Sequence, residues 1–464
     1  MPEALQRYWR NGMVTHMSKR ILSILLLLVL SAMWILPAAA ESDSADCYAD
    51  WEQLTSGISG LASEYRLKSE LASAAAPEYP KQAEPTQDHE GFDQAFREKA
   101  DSGSVNHALA NYSIDACALS GDKSKMTGFL GKLGFQDLAF YDFKPDGEHF
   151  AAHTIAWRFV QNEQGENVPL FVVVIRGTVE PAEWHSNFMP GDGPDHKGFK
   201  TAEMTIRKNL NAYINNPGIC NGGFTGGNYK VWICGHSRGG ACGNLLAVDL
   251  PASQQDVYAY LYAVPNPTKN CINNTNIHNF VICGDIVPHF VPVQYGWGRH
   301  GIVHFLDHMT VMDGVDVSSE EEIDMVYQAM YVMFGDLDDL SAVTENTFII
   351  IMNWLGKLSI NRAVDVQNLI AYLFGNEIGL GSRMLACKDR LKETGFDIRT
   401  FITGLALGAN AHDMAHYQSW MRREYPDGLQ HLEINTTHLR NSIKRQDVED
   451  GIESSAEFLK RFSW

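Results

Sequence analysis

The chain is short of basic residues, of cysteine and of long apolar runs. Lys and Arg number 37 against 56 Asp and Glu, a net charge of −19 over 464 residues. A surface of that sign repels phosphates, which excludes a general nucleic-acid binder and disfavours a polyanionic substrate. Eight cysteines in a chain of this length do not make a disulfide scaffold. No C-x-x-C pair or His/Cys spacing of a zinc site occurs. Cys234 and Cys283 sit in apolar, strand-like runs and are expected as buried thiols, and Cys220 with Cys271 is the candidate bridge. One apolar run, Ile21 to Leu36, approaches the length of a membrane span, but its 16 residues fall short of the roughly 20 required. The next best, FIIIMNWL at 348–355, is shorter still.

The first run has the layout of a secretory signal. Lys19 and Arg20 precede it, Pro37-Ala38-Ala39-Ala40 follows with an A-x-A cleavage pattern, and Met17 is a plausible start. Removing residues 1–40 takes away four basic residues and one acid, so the charge becomes 33 − 55 = −22. The expectation is an exported protein without a stable membrane span. A retained signal anchor is the alternative.

What is present is enough for a core, with 45% hydrophobic and 11% aromatic residues, and wholesale disorder is excluded. Residues 41–104 are rich in Ala, Ser, Glu and Gln, with several Pro, and read as a loosely structured leader. From 105 the pattern tightens. NHALANYSIDACAL and MTGFLGKLGF predict helices. HTIAWRFVQ and NVPLFVVVIRG predict two strands around the turn NEQGEN. Residues 198–214 have helical spacing. Strands at 231–234, 257–264 and 277–284 then flank a small-residue helix from about 239. Nearly all-apolar strands alternating with helices predict an α/β fold with a mainly parallel sheet covered on both faces. Residues 316–400 are acidic, Met-rich and helical in period, and read as a helical insertion within a domain spanning 105–464.

The chemistry centres on Gly235-His236-Ser237-Arg238-Gly239, a G-x-S-x-G. The pattern alone would arise about 0.2 times by chance in a chain of this composition, so its setting carries it. A strand leads in and a helix leads out, as a nucleophile elbow requires. Gly235 and Gly239 allow the tight turn, and the helix N-terminus offers positive potential to a developing oxyanion. A glycine-rich turn that merely packs, or binds a phosphate, is the bland alternative. A serine hydroxyl needs a base held by an acid, in the chain order Ser, Asp or Glu, His. Asp285 closes the strand IHNFVICG just before Ile286-Val287-Pro288, at the strand's C-terminal end where ligand sites of open α/β sheets lie. Among the histidines beyond it, His289 is too close in sequence to face Ser237, and His300, His304 and His308 read as structural. Of the other four, His412, His416, His431 and His438, the best candidates are His412 and His416, four residues apart, with His412 favoured and His416 kept open.

Several of these segments together resemble the class 3 lipases, α/β-hydrolases typified by secreted fungal triacylglycerol lipases, and especially their bacterial relatives. Ile175-Arg176-Gly177-Thr178 is similar to the family's R-G-[ST] turn, and Glu183 to Phe188 to its E/D-W-x-x-N-F segment. His196-Lys197-Gly198-Phe199 matches H-x-G-F, Gly235 to Gly240 the elbow, and Asp285 to Pro288 D-x-V-P. Pro265-Asn266-Pro267 stands near the G-x-P segment, and His412-Asp413-Met414 with Tyr417 resembles H-S-M…Y. The resemblance implies an α/β-hydrolase fold with oxyanion donors at Thr178 and at the backbone N–H of Arg238, and a lid, if any, at 179–197. The chain departs from the family with Arg238 where fungal members carry Leu, Asp413 in place of Ser, and a longer separation of 127 positions from Asp285 to His412.

These readings lead to an expected serine esterase or lipase acting on a neutral ester or lipid, with Ser237, Asp285 and His412 as triad. No cofactor or metal is expected. Calcium at GDGPD (191–195) is the one conceivable ion site, set against plain solvated acids. No nucleic acid is expected as partner; transient contact with a lipid interface is. The alternative is an inactive α/β-hydrolase that binds an apolar ligand or a partner protein.

Overall fold

The computed structural model describes residues 105–143, 151–162, 164–179, 183, 186–219, 229–250, 256–289, 296–306 and 411–424. Short pieces at 92–93, 291, 308, 311–312, 315–316, 319, 321–327, 404 and 407–408 complete it. The signal segment 1–40 lies outside the described residues, as does the leader 41–104 apart from 92–93. Most of the insertion expected over 316–400 lies outside them too.

Seven strands form one mixed sheet in the order β1-β2-β3-β4-β5-β6-β7. These are β1 Gln136–Tyr141, β2 His153–Gln161, β3 Asn167–Ile175, β4 Lys230–His236, β5 Val257–Tyr262, β6 Ile277–Ile282 and β7 Ile302–Leu306. β1, β2 and β3 pair antiparallel, and every later neighbour pairs parallel. The hairpin read from NEQGEN is β2–β3. β1 was not expected. It is a partly exposed outer strand, without the apolar run that announces a buried one.

The strands alternate their side chains between two cores, which is why they are apolar throughout. On β3, Leu170, Val172 and Val174 enter one core, while Phe171, Val173 and Ile175 enter the other. Trp232 and Cys234 on β4 follow the first set, with Tyr260 and Tyr262 on β5; Ile233 and Leu261 follow the second. A period of two on a sheet covered on both faces produces this division.

The first face is covered by helices α1 (His107–Leu119) and α2 (Lys123–Lys132), the second by α3 (Lys197–Ile214) and α4 (Arg238–Asp249). Asn106 caps α1 by accepting the Leu109 N–H at 3.1 Å. Asp122 caps α2 by accepting from Ser124 and Lys125. This cap starts α2 three residues before the apolar pattern that predicted it. α1 is tied to the sheet by buried polar contacts: Trp232 Nε1 donates to Ser113 Oγ at 2.8 Å, and the Tyr262 hydroxyl donates to the Ala110 carbonyl.

The packed unit reaches back into the segment expected as a leader. Phe92 is wholly buried against Tyr112, Phe135 and Trp232, and Asp93 pairs with Arg158 at 2.5 Å. Cys234 is a buried thiol as expected, whereas Cys283 is only half-buried. Cys271 is a free, exposed thiol, so it does not form the expected bridge to Cys220, which lies outside the described residues. No helix among the described residues is long and apolar enough to cross a membrane.

Helix α4 lies close on the sheet at Gly243, where an added Cβ would stand 2.9 Å from Leu261 Cδ2. Leu261→Ala should lower the unfolding free energy by about 2–5 kcal/mol through the cavity it leaves. In the double variant Leu261→Ala/Gly243→Ala the new methyl enters that cavity. Urea unfolding should therefore show it more stable than the two single changes sum to.

Candidate active site

The site is built on the C-terminal ends of β3, β4 and β6. β4 ends at His236, and Ser237 turns the chain into α4 with φ 57° and ψ −125°. That left-handed backbone costs an L-residue about 1–3 kcal/mol and persists only where its surroundings enforce it. Here the Ser237 N–H donates to the Tyr262 carbonyl at 2.9 Å, and its carbonyl accepts from the Ala241 N–H at 3.0 Å. The flanking glycines make the turn sterically possible. A Cβ on Gly235 would stand 2.3 Å from the Gly239 carbonyl oxygen, and one on Gly239 2.3 Å from that of Ile175. Ser237 is the N-cap of α4, yet its hydroxyl makes no cap bond.

That hydroxyl instead meets His412. His412 Nε2 lies 2.8 Å from Ser237 Oγ, and its Nδ1 lies 2.8 Å from Asp285 Oδ2. Of the two candidate histidines, His412 is therefore the one that bridges the serine and the carboxylate. His416 is also buried, one helical turn further on, and its ring stands 6.1 Å from that of His308. With Nδ1 facing a carboxylate, the neutral ring carries its proton there and presents Nε2 as an acceptor. The 127-residue gap does not separate the groups in space.

Asp285 is completely buried and fully used. Its Oδ1 accepts the Val287 N–H at 3.0 Å, and its Oδ2 also accepts the Tyr417 hydroxyl at 2.7 Å. The Tyr417 oxygen in turn accepts the Ile282 N–H at 3.2 Å. Burial, and then the neighbouring Asp285, push the Tyr417 phenol well above its ordinary pKa, so it remains a donor. Tyr417 belongs to α5 (Met414–Glu424), the helix that follows His412. The His236 ring stands beside the imidazole, 4.9 Å from His412 and 5.6 Å from Tyr417 between centroids. Burial, aided by nearby Arg299 and opposed by Asp285, lowers His289, in the turn after Asp285, to about 4.

Across from the elbow, the turn after β3 leans on it. A Cβ on Gly177 would stand 3.1 Å from the His236 carbonyl oxygen and 3.7 Å from Ser237 Cβ, so the residue before Thr178 packs on the elbow. The turn is held by Glu183, wholly buried, which accepts the Val179 N–H at 2.7 Å and faces Arg176 Nη2 at 3.4 Å. Of the segment 183–188, Glu183, Ser186 and Phe188 are buried and Asn187 is half-buried. The span 179–197, where a lid would fall, is therefore pinned at those positions. Asp195 is engaged too, accepting the Thr268 hydroxyl at 2.7 Å and facing Lys200 at 3.6 Å. Among the described residues no group of three or more His, Cys, Asp or Glu could hold a metal ion.

Some partners had no signal in the sequence. His308 is buried close to Gly284, where an added Cβ would meet its ring at 2.0 Å. His300 and His304 are structural, as expected: His300 Nδ1 accepts the Ile272 N–H at 3.0 Å, and His304 contacts His278 at 3.0 Å. Arg238, polar at the position after Ser237, turns inward and is 1% exposed.

A parallel-stranded α/β sheet, a serine on a strained strand-to-helix turn, and an imidazole between it and a buried carboxylate together define an α/β-hydrolase architecture. Residues 172–295 match the family model of class 3 lipases. Solved structures of lipases are similar to it. A triacylglycerol lipase described by its serine-protease triad is 19% identical over 44% of this chain and 81% of its own, with a TM-score of 0.30. The Rhizomucor miehei lipase–propeptide complex is 18% identical over 51% and 80%, at 0.32. The lipase of Rhizopus microsporus var. chinensis is 17% identical over 50% and 85%, at 0.29. No curated protein sequence matched the chain.

Helix α5 is held against α1 by a second buried carboxylate. Asp115 Oδ1 accepts Gln418 Nε2 at 2.9 Å and Arg422 Nη2 at 3.1 Å. Burial raises Asp115 to about 6 despite the opposing pull of Arg422. A carboxyl that binds its proton more tightly when folded contributes stability below the unfolded value near 3.8, lost as pH rises towards about 6. Asp115→Asn should flatten the slope of unfolding free energy between pH 4 and 6, whatever it does to the level. Urea titrations across that range measure the slope.

Proposed function

We propose that this protein is an exported serine hydrolase that cleaves neutral carboxylic esters, lipid esters foremost, through Ser237, His412 and Asp285. The observation that carries the reading is His412, 2.8 Å from Ser237 Oγ on one side and 2.8 Å from Asp285 Oδ2 on the other.

Ser237 Oγ attacks the ester carbonyl while His412 Nε2 takes its proton. Asp285 keeps the ring in the required tautomer and stabilises the imidazolium. Negative charge developing on the carbonyl oxygen is met by the backbone N–H groups of Thr178 and Arg238, by the Thr178 hydroxyl and by the N-terminus of α4. One such donor is worth about 3–4 kcal/mol of barrier. The tetrahedral adduct collapses, His412 returns the proton to the leaving alkoxide, and the acyl group stays on Ser237. Water, deprotonated by His412, then releases the acid. Side chains and water handle every proton and electron pair, so the scheme calls for no cofactor or metal.

The substrate class follows from charge and family. A net −22 after loss of residues 1–40 disfavours anionic bilayers and anionic substrates, which leaves neutral esters and transient contact with a neutral lipid surface. The match of residues 172–295 to the class 3 lipase model supports the lipid ester.

Ser237→Ala should reduce p-nitrophenyl ester hydrolysis by at least about 10⁴-fold and abolish fluorophosphonate labelling. His412→Ala should lose a comparable factor, while His416→Ala stays within about tenfold of the parent. Activity surviving the serine change would refute the assignment, and failure of the parent to label would favour an inactive binding protein. For export, mass spectrometry of the secreted product should find Glu41 at its N-terminus.

A further inference from the structure

We propose that the Arg238 side chain is a positioning residue for the oxyanion donor Thr178, acting through the amide of Asn187. The inference rests on the acyl-transfer reading above.

Arg238 follows the nucleophile, and only its backbone N–H enters that scheme. Its guanidinium is nevertheless buried, 1% exposed, and directed at the loop that follows β3. Nη1 lies 2.8 Å from Asn187 Oδ1 and 3.1 Å from Ser186 Oγ. Asn187 Nδ2 lies 2.8 Å from Thr178 Oγ1. Ser186, wholly buried, passes its own proton to the Gly198 carbonyl at 3.2 Å.

The direction of every bond in this series follows from donor chemistry. A guanidinium has donors only, so the Asn187 atom facing it must be the carbonyl oxygen. That fixes the other end of the amide, the NH₂, against Thr178. Thr178 Oγ1 then accepts, and its own proton is left to give elsewhere. Gly177 rests on His236 and Ser237, so the freed proton belongs to the residue that borders the forming oxyanion. With an apolar side chain at 238, the donor that selects this amide orientation would be gone. The turned-over amide would present its carbonyl to Thr178 and capture the hydroxyl proton. A permanent charge in a dry site also polarises the bonds it starts. Arg238 thereby links two oxyanion contributions in one residue: its backbone N–H donates directly, and its side chain orients the Thr178 hydroxyl.

The test uses the full-length enzyme, steady-state hydrolysis of p-nitrophenyl butyrate, and thermal unfolding of each variant. Asn187→Asp is the sharpest change. It keeps or strengthens the contact with Arg238, so the melting temperature should not fall. The carboxylate would accept the Thr178 proton, however, and kcat should drop about 10- to 100-fold with KM little changed. Arg238→Met should lower kcat about tenfold in the parent but less than about threefold in a Thr178→Val background, because the hydroxyl it orients is already gone.

A folded Asn187→Asp enzyme with parental kcat would overturn the proposal. So would Arg238→Met costing the same factor in both backgrounds. If Arg238→Met fails to fold, Asn187→Asp decides alone. Should the parent show neither ester hydrolysis nor fluorophosphonate labelling, the acyl-transfer reading fails and takes the relay with it. Should Ser237-dependent hydrolysis be present and the relay variants match the parent, the relay alone fails.

Discussion

Ser237 occupies a backbone conformation that an isolated serine avoids, and most of the site's geometry follows from keeping it there. A φ of 57° at the end of β4 aims the side chain away from the sheet and starts α4 immediately, so hydroxyl and helix N-terminus share one point in space. The turn is stable because β5 supplies a carbonyl to the Ser237 N–H, and because two glycines let α4 approach β3 and β4 more closely than any Cβ would allow. The strain is held by a sheet whose neighbouring strands are buried on both faces at nearly every position. A half-exposed sheet would relax it.

The second constraint is a carboxylate in a dry place. Asp285 has no exposure, and a buried anion is tolerable only when its lone pairs are used. The Val287 N–H, the Tyr417 hydroxyl and His412 use them. The same three contacts also fix geometry: Tyr417 sits five residues past His412, so its bond to Asp285 fixes α5 against the site. Asp115 then ties the far end of α5 to α1 through Gln418 and Arg422. His412 is therefore positioned by two buried carboxylates, one at each end of the helix behind it.

Much of this was legible in the residues. The all-apolar runs of β3, β4, β5 and β6 announce a sheet covered on both faces, because only such a sheet needs apolar side chains at consecutive positions. The elbow was legible because few residue types tolerate that turn. Asp285 could be read from its place at the end of an apolar strand. β1 escaped, since an outer strand with polar and half-buried positions lacks the run that marks the inner ones. Phe92 escaped because one aromatic in a polar segment has no periodicity to betray its burial against Trp232.

The sequence by itself determined the elements, the turn chemistry and the residue types available, because these depend on neighbours a few positions apart. Tertiary structure decided which histidine of two meets the serine, since His412 and His416 differ only in how α5 is seated. It also decided that Arg238 faces inward to Ser186 and Asn187, a matter of contacts about fifty positions apart along the chain. Local pattern carries no information at that range; the packing of the β3 turn against the elbow does.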